Sequence, residues 1–416
     1  MADYRHPNVA ELVKRLREEP RFLVLVTGPR QTGKTTAVRQ ALEAVELPSM
    51  YVAADEPEDS AFQSLRDGVS PRLSPLGRRD ARWLYRIWQG ARREALRSDT
   101  GFVLVVDEIQ LVSGWARTVK GLWDQDRHSG SRLRVAILGS APFLMQKDLG
   151  ESLVGRFESL QFTHWSYPQM RDAFGYDLER YVYFGGSPGA APFRDPVRWR
   201  RYVRTALVEP VIQRDVLDIT RVDKPALLRQ VFECGVRYSG QILSFNKMLG
   251  RLQDAGNTTT LARYLELLQT VGMLAGLQKY STSVIQTRKS SPKLNVLNTA
   301  YVGALSDRTF AQARADRTFW GHLFESAVGA HLLNTGLIDE TRVHYWKGRT
   351  SEVDFVLERG HHLVAVEVKS GRQLRSARGL AEFMRRFPQA KTLVVGATGI
   401  PLFDFLNAPA SYWAEQ

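Results

Sequence analysis

Leu23-Val24-Leu25-Val26-Thr27-Gly28-Pro29-Arg30-Gln31-Thr32-Gly33-Lys34-Thr35-Thr36 is the stretch that decides how the rest of the chain is read. Phe22 to Val26 is an unbroken apolar run, as in a parallel strand covered on both faces. Ala37, Val38, Ala41, Leu42 and Val45 then recur at helical spacing. Between strand and helix lies G-x-x-x-x-G-K-T. Gly28 and Gly33 let the backbone curl so that its N–H groups face an anion, and the helix N-terminus adds partial positive charge. Gly28, Pro29, Arg30, Gln31, Thr32, Gly33, Lys34, Thr35 and Thr36 are therefore expected to cradle the phosphates of ATP. Lys34 is placed for the β- and γ-phosphates and the Thr35 hydroxyl for Mg²⁺.

Outward from this loop, Asn8 to Glu18 reads as an opening helix, and Met50 to Ala53 as a short strand. Residues 56–80 read as an irregular insertion, after which Asp80 caps a helix carrying Trp83, Leu84, Ile87, Trp88 and Ala91. Phe102 to Val106 is a second fully apolar strand, ending in Asp107 and Glu108. Asp107 is expected to hold Mg²⁺ through water, and Glu108 to orient or deprotonate the attacking water. A third strand, Leu133 to Leu138, ends at Gly139-Ser140, where Ser140 is a candidate sensor of the γ-phosphate. Strands alternating with helices in this order argue for a doubly wound parallel sheet with the nucleotide at its carboxyl edge. Arg156 either stabilises transition-state charge, in its own subunit or in a neighbour, or forms a surface ion pair.

The middle of the chain is mainly helical from Leu178 to Leu217, broken at Gly185-Gly186-Ser187-Pro188. That turn either reaches the nucleotide base or only separates two helices. Ala226 to Tyr238, a short helix from Ser244 to Leu249, and Thr258 to Val271 are followed by two alternating segments flanking Ser281 to Ser291. Three helices and a hairpin with Lys279, Arg288, Lys289 and Lys293 nearby make a winged helix-turn-helix. In that fold the third helix enters the major groove and the wing touches phosphate.

A break in pattern near Ser306 to Asp316 suggests a linker. Beyond it come a helix from Phe319 to Leu333, with Glu325 beside its apolar face, and strands at His344–Trp346, Glu352–Leu357 and Leu363–Lys369. Glu367 and Lys369 project from one face of the last strand. A hairpin turn at Glu358 to His362 puts Asp354 across from Glu367 or next to it. Two acids and a lysine on one sheet face either hold Mg²⁺ and position water at a phosphate, as in a nuclease, or make a charged outer face.

The 416 residues allow two to four domains, and 44% hydrophobic with 24% charged content is that of a soluble globular protein. Cys234 is the single cysteine, which excludes an internal disulfide and a Cys-based zinc site. No apolar window approaches a membrane span, and the cytoplasm is the expected compartment. A net charge of +13 suggests a polyanionic partner. Residues 196–300 hold 16 Lys and Arg against 7 Asp and Glu, so most of that excess lies there.

Taken with Asp107-Glu108-Ile109-Gln110, Gly139-Ser140, Gly155-Arg156, Gly185-Gly186-Ser187-Pro188, Glu352-Val353-Asp354 and Glu367-Val368-Lys369, the opening loop resembles the AAA-type ATPases of the AAA_14/DUF4143 architecture. The one departure is Ala141-Pro142 after Ser140, where relatives often carry further serines. The resemblance implies an α/β chain in four parts. These are a P-loop parallel-sheet ATPase core (1–165), a helical lid segment (166–225), a winged helix-turn-helix (226–310) and a PD-(D/E)XK nuclease-like domain (316–416). It makes Lys34, Thr35, Asp107 and Glu108 the ATPase residues and Arg156 a finger or sensor arginine. It makes Glu325, Asp354, Glu367 and Lys369 the nuclease-like set, with the three acids as metal ligands. The expected function is a homo-oligomeric, Mg²⁺-dependent ATPase that binds and remodels DNA, with branched DNA such as a Holliday junction as a target by analogy. The alternatives are a nucleotide-gated switch with protein partners and a DNA-binding regulator that holds ATP without turning it over.

Overall fold

The apolar run after Phe22 becomes β1 (Leu23–Thr27), with all five residues buried. The computed structural model describes residues 4–55, 79–139, 153–216, 222, 224–253, 256–283, 290–371 and 378–416, apart from the side chain of residue 214. The chain divides into two compact units, Ala2–Phe162 and Thr163–Gln416. The second takes in the expected helical, winged-helix and C-terminal segments together.

In the first unit, β1 is joined by β2 (Ser49–Ala53), β3 (Phe102–Asp107), β4 (Leu133–Leu138) and β5 (Phe157–Gln161). They form one sheet in the order β2-β3-β4-β1-β5, and every neighbouring pair is parallel. Alternate residues of the strands feed opposite layers. Leu25, Leu104 and Ile137 pack on Trp83, Ile87 and Trp88 of helix Ala81–Arg97 and on Trp115, Val119 and Trp123 of helix Trp115–His128. Val24, Val26, Val103 and Val105 pack instead on Leu12 and Leu16 of helix Asn8–Arg17 and on Ala37, Val38 and Ala41 of helix Lys34–Val45. The doubly wound sheet is therefore covered on both faces, which is why its central strands read as continuous apolar runs. Asp80 caps the tryptophan-bearing helix, accepting from the N–H of Arg82 at 2.9 Å and of Trp83 at 3.0 Å.

The second unit opens with helix Tyr167–Phe174, followed by helices Leu178–Phe184 and Pro196–Tyr202, the last running on into π-helical turns at Val203–Val208 and Val211–Asp215. Helices Pro225–Arg237, Phe245–Leu249 and Thr258–Thr270 follow. Leu228, Phe232, Leu261, Tyr264 and Leu268 are among their buried residues at helical spacing. Ser244 and Asn257 cap the second and third. β6 (Leu274–Leu277) and β7 (Lys293–Val296) then pair antiparallel, and Ile242 bridges to Lys293 from the segment between the first two helices. Arg288 and Lys289 lie outside the described residues.

No linker stands at Ser306 to Asp316. Thr309 and Gln312 close a capping box on helix Phe310–Ala315, and Asp316 ends that helix while capping the next, Arg317–Asp339. The polar run mistaken for a linker is two helix caps in succession. β8 (Arg342–Lys347), β9 (Glu352–Arg359) and β10 (His362–Lys369) are antiparallel neighbours, and β11 (Lys391–Gly396) returns parallel to β10 after helix Arg378–Arg386. Among the described residues no helix is long and apolar enough to cross a membrane.

Candidate functional site

The phosphate loop leaves the carboxyl end of β1 and enters helix Lys34–Val45 through Gly33, whose φ of 87° is left-handed. Gly28 has φ 147°, and a Cβ there would stand 2.3 Å from the carbonyl oxygen of Phe162, so no side chain is tolerated. Lys34 is buried to 8% exposure, its Nζ donating to the carbonyls of Gly28 at 2.9 Å and Pro29 at 2.7 Å. Thr32, buried at the turn, donates its hydroxyl to Pro29 O at 2.9 Å. The loop is thus held in shape by its own side chains.

β4 separates β1 from β3, so Asp107 ends β3 two strands from the loop, on the same sheet edge. The Thr35 hydroxyl donates to Asp107 Oδ2 at 2.8 Å. The Tyr51 hydroxyl, reaching over from β2, donates to the same oxygen at 2.6 Å, and Asp107 Oδ1 accepts from the N–H of Glu108 at 2.8 Å. Glu108 has a left-handed φ of 51°, a conformation that costs a residue with a Cβ ~1 kcal/mol and recurs where function demands it. Burial, and after it the neighbouring Asp107, raises the Glu108 carboxyl above the usual range against the opposing pull of Lys34, and Gln110 Nε2 donates to it. A carboxylate with raised basicity at this edge suits a group that takes a proton from water. Thr35 and Asp107, both hard oxygen donors, fit Mg²⁺, and the glycine cradle with buried Lys34 fits a nucleotide phosphate tail. Bound there, Mg²⁺ would neutralise phosphate charge. Lys34 and the loop amides would fix the phosphates, Asp107 would hold the metal's water shell, and Glu108 would orient the nucleophilic water.

Tyr51 and Gln110 were not assigned roles from sequence. Nothing in Ser49–Ala53 marks Tyr51 as functional until β2 is placed beside β3. Tyr51→Phe removes one of the two hydroxyls that fix Asp107 Oδ2, and a lost hydrogen bond of ~1 kcal/mol corresponds to roughly fivefold in turnover. ATP turnover titrated with Mg²⁺ should show that loss with a raised half-saturating Mg²⁺ concentration. An unchanged Mg²⁺ dependence would remove Tyr51 from the site.

Ser140 lies outside the described residues, although the Gly139 before it is placed between the two catalytic strand ends, its N–H donating to Val26 O. Arg156 is corrected as a nucleotide contact within its own unit. Phe157 pairs with Leu23 at the start of β1, while the phosphate loop leaves the other end, ~16 Å away for five residues of strand. Its guanidinium instead grips Asp124 with both oxygens, at 2.7 and 3.0 Å. In the second unit the Gly185–Pro188 turn is built around Asn298. Asn298 Oδ1 accepts from the Gly186 N–H at 3.1 Å, and its Nδ2 donates to Ser187 Oγ at 2.7 Å. A Cβ on Gly186 would stand 2.0 Å from Trp165 O, so close packing explains the paired glycines.

The nuclease-like residues do come together. Val366 pairs with Phe355, which sets Glu367 directly across from Asp354, and Asp354 Oδ2 accepts from the Val368 N–H at 2.8 Å. Lys369 binds Glu367 beside it. Glu325 arrives from helix Arg317–Asp339. What the sequence reading misplaced is Lys293. Expected on a phosphate-touching wing, it is 0% exposed, and its ammonium lies 2.6 Å from Glu325 Oε1, 3.4 Å from Asp354 Oδ1 and 3.7 Å from Glu352 Oε1. Burial opposes its charge, but Asp354, Glu325 and Glu352 together outweigh that and hold its pKa above the ordinary lysine value. Among the described residues no three acidic, histidine or cysteine side chains form a group placed to hold a metal ion. Two of the three expected metal ligands, Glu325 and Asp354, have the Lys293 ammonium between them.

Comparison with known proteins agrees with the first unit's geometry. Residues 20–170 match the model of an AAA domain, residues 175–312 a domain of unknown function (DUF8612) and residues 320–403 a domain of unknown function (DUF4143). The chain is 26% identical over 410 residues to an uncharacterized protein of Mycobacterium tuberculosis, covering 94% of this chain and 82% of that one. It is similar to the solved Walker-type ATPase of Pyrococcus abyssi, with TM-score 0.46 and 16% identity over 73% of this chain and 95% of that one. It is similar also to the Aeropyrum pernix ORC1 protein, solved in complex with DNA, with TM-score 0.31 and 17% identity over 74% and 93%. The residues matched by the AAA-domain model, 20–170, take in the phosphate loop, Asp107 and Glu108.

Proposed function

We propose that this chain is a Mg²⁺-dependent ATPase that couples ATP turnover to binding and remodelling of DNA, with Lys34, Thr35, Asp107 and Glu108 as its hydrolytic residues. The observation that carries the DNA part is helix Thr258–Thr270. It buries Leu261, Tyr264, Leu265 and Leu268 and leaves Thr259, Arg263, Glu266 and Gln269 outward, after an exposed Lys247 and Arg251 on the preceding helix and turn. Three helices, a bridge from Ile242 and an antiparallel hairpin follow the order of a winged helix-turn-helix, whose third helix reads a groove. Branched DNA is the target class this reading names, and a homo-oligomer that supplies Arg156 to a neighbouring copy belongs to the same proposal.

One observation favours the second reading, a nucleotide-gated switch with protein partners. Part of the positive charge counted in residues 196–300 is spent internally. Lys293 is buried, Arg229 is paired with Glu209, and Arg200 and Arg204 donate to the carbonyls of Arg308 and Ala304. ATPase rates with single-stranded, duplex and four-way-junction DNA separate the two. In the DNA reading hydrolysis rises with one of them, and affinity falls with salt by a slope of about 0.9 per phosphate neutralised on duplex. Lys247→Glu with Arg251→Glu should cut affinity at least tenfold and flatten the slope by about two, leaving basal hydrolysis intact. Absence of any DNA binding at low salt would select the switch.

A further inference from the structure

The cation that belongs to the C-terminal carboxylate cluster is part of the chain. We propose that the Lys293 ammonium permanently fills the position a divalent metal would take at Glu325 and Asp354, with Glu352 as a further carboxylate facing it. The domain is then a metal-free, non-cleaving module, clamped to the three-helix segment by this lysine. This stands apart from the ATPase and DNA readings and survives the failure of either.

Three observations carry it. The first is placement. Lys293 opens β7, in register with Leu277 of β6 and bridged to Ile242, so its backbone is fixed by two neighbouring segments. Its side chain is fully buried and lies over the Phe355 ring at 4.9 Å, besides the carboxylates, and its Nζ also donates to the Asp354 carbonyl at 3.2 Å. A lysine so enclosed cannot swing to solvent without opening the packing around β7.

The second is charge. A divalent ion entering beside this ammonium meets a like charge within contact distance, and each of the three acids already faces that ammonium. Glu367, the remaining expected ligand, has one oxygen on Lys369, while its other, Oε2, is buried with no hydrogen-bond partner among the described residues. The third is distance. The two expected ligands stand 2.6 and 3.4 Å from Nζ, separations suited to N–H···O contacts, whereas Mg²⁺ demands oxygens at ~2.0–2.1 Å in near-octahedral array. The exclusion follows from an occupant that is present.

Mn²⁺ binding to the nucleotide-free full chain tests this, read by the loss of the free-ion electron paramagnetic resonance signal. Wild type and Asp354→Asn should titrate identically, with no site that depends on Asp354. Lys293→Met, which keeps the stem and removes the charge, should gain a site at least tenfold tighter than anything in wild type, and adding Asp354→Asn should abolish the gain. A wild-type Mn²⁺ site lost in Asp354→Asn overturns the proposal, as does a folded Lys293→Met that gains none. Should Lys293→Met fail to fold, the wild-type and Asp354→Asn titrations still decide. Incubation of wild type with Mn²⁺ and branched or linear DNA should leave the DNA intact, and cutting that Asp354→Asn abolishes would refute the inference independently.

Discussion

Lys34→Ala is expected to reduce ATP hydrolysis at least ~100-fold, to background, by removing the one buried cation of the loop. The same substitution leaves the Gly28 and Pro29 carbonyls without their donor, so nucleotide affinity falls with turnover. Glu108→Gln should separate the two effects. Asp107 and Thr35 still meet at 2.8 Å, so Mg²⁺-ATP remains bound, while the amide cannot accept a proton and turnover drops by ~10²–10⁴. Steady-state hydrolysis measured beside binding of a fluorescent ATP analogue checks both. Wild-type hydrolysis in either variant would dismiss the assigned roles, whereas loss of binding in Glu108→Gln would make Glu108 a structural residue of the turn and not the group that acts on water. Circular dichroism guards the Lys34 variant against a trivial loss of fold, since that side chain is buried.

How much of this was legible beforehand follows from which signals are local. β1, β3 and β4 are buried on both faces and announce themselves as apolar runs, so the sheet and its carboxyl-edge residues could be placed from sequence. β5, Phe157-Glu158-Ser159-Leu160-Gln161, sits at the sheet edge with Glu158 and Ser159 exposed, and its mixed composition gives no such signal. Because β5 was missing, the register that carries Arg156 to the far end of β1 was missing too, and the finger reading stayed open. Tyr51 became relevant only through the pairing of β2 with β3. Lys293 failed for a different reason. A charge count treats every lysine as surface, yet a strand alternates its faces, and this one faces three acids drawn from 32 to 61 residues further along the chain. Only tertiary pairing distinguishes a buried counter-ion from a phosphate contact. Asp354 and Glu367, by contrast, were recoverable to within the choice of register, because a tight hairpin leaves few alternatives.

Removing that counter-ion should strongly destabilise the second unit. Lys293→Met leaves Glu325, Glu352 and Asp354 facing one another without a cation, and stranding buried charge in this way costs ~3–5 kcal/mol. The cost should depend on pH with a definite sign. Burial, and after it Asp354, already pushes the Glu325 carboxyl up to about 7 even with Lys293 pulling the other way, and Glu352 is raised as well, first by burial. A carboxyl raised in the folded state binds its proton there at a pH where the unfolded chain, titrating near its ordinary value, has lost it. Its contribution is therefore favourable at low pH and declines as pH rises from the unfolded pKa through the folded one. Without Lys293 those folded values rise further, so the variant should lose most against wild type near pH 8 and recover much of the deficit by pH 5. Urea unfolding of the two proteins across that range measures it. A deficit that does not change with pH would mean that the loss is one of packing around the lysine stem and that the three carboxylates are not held together by its charge.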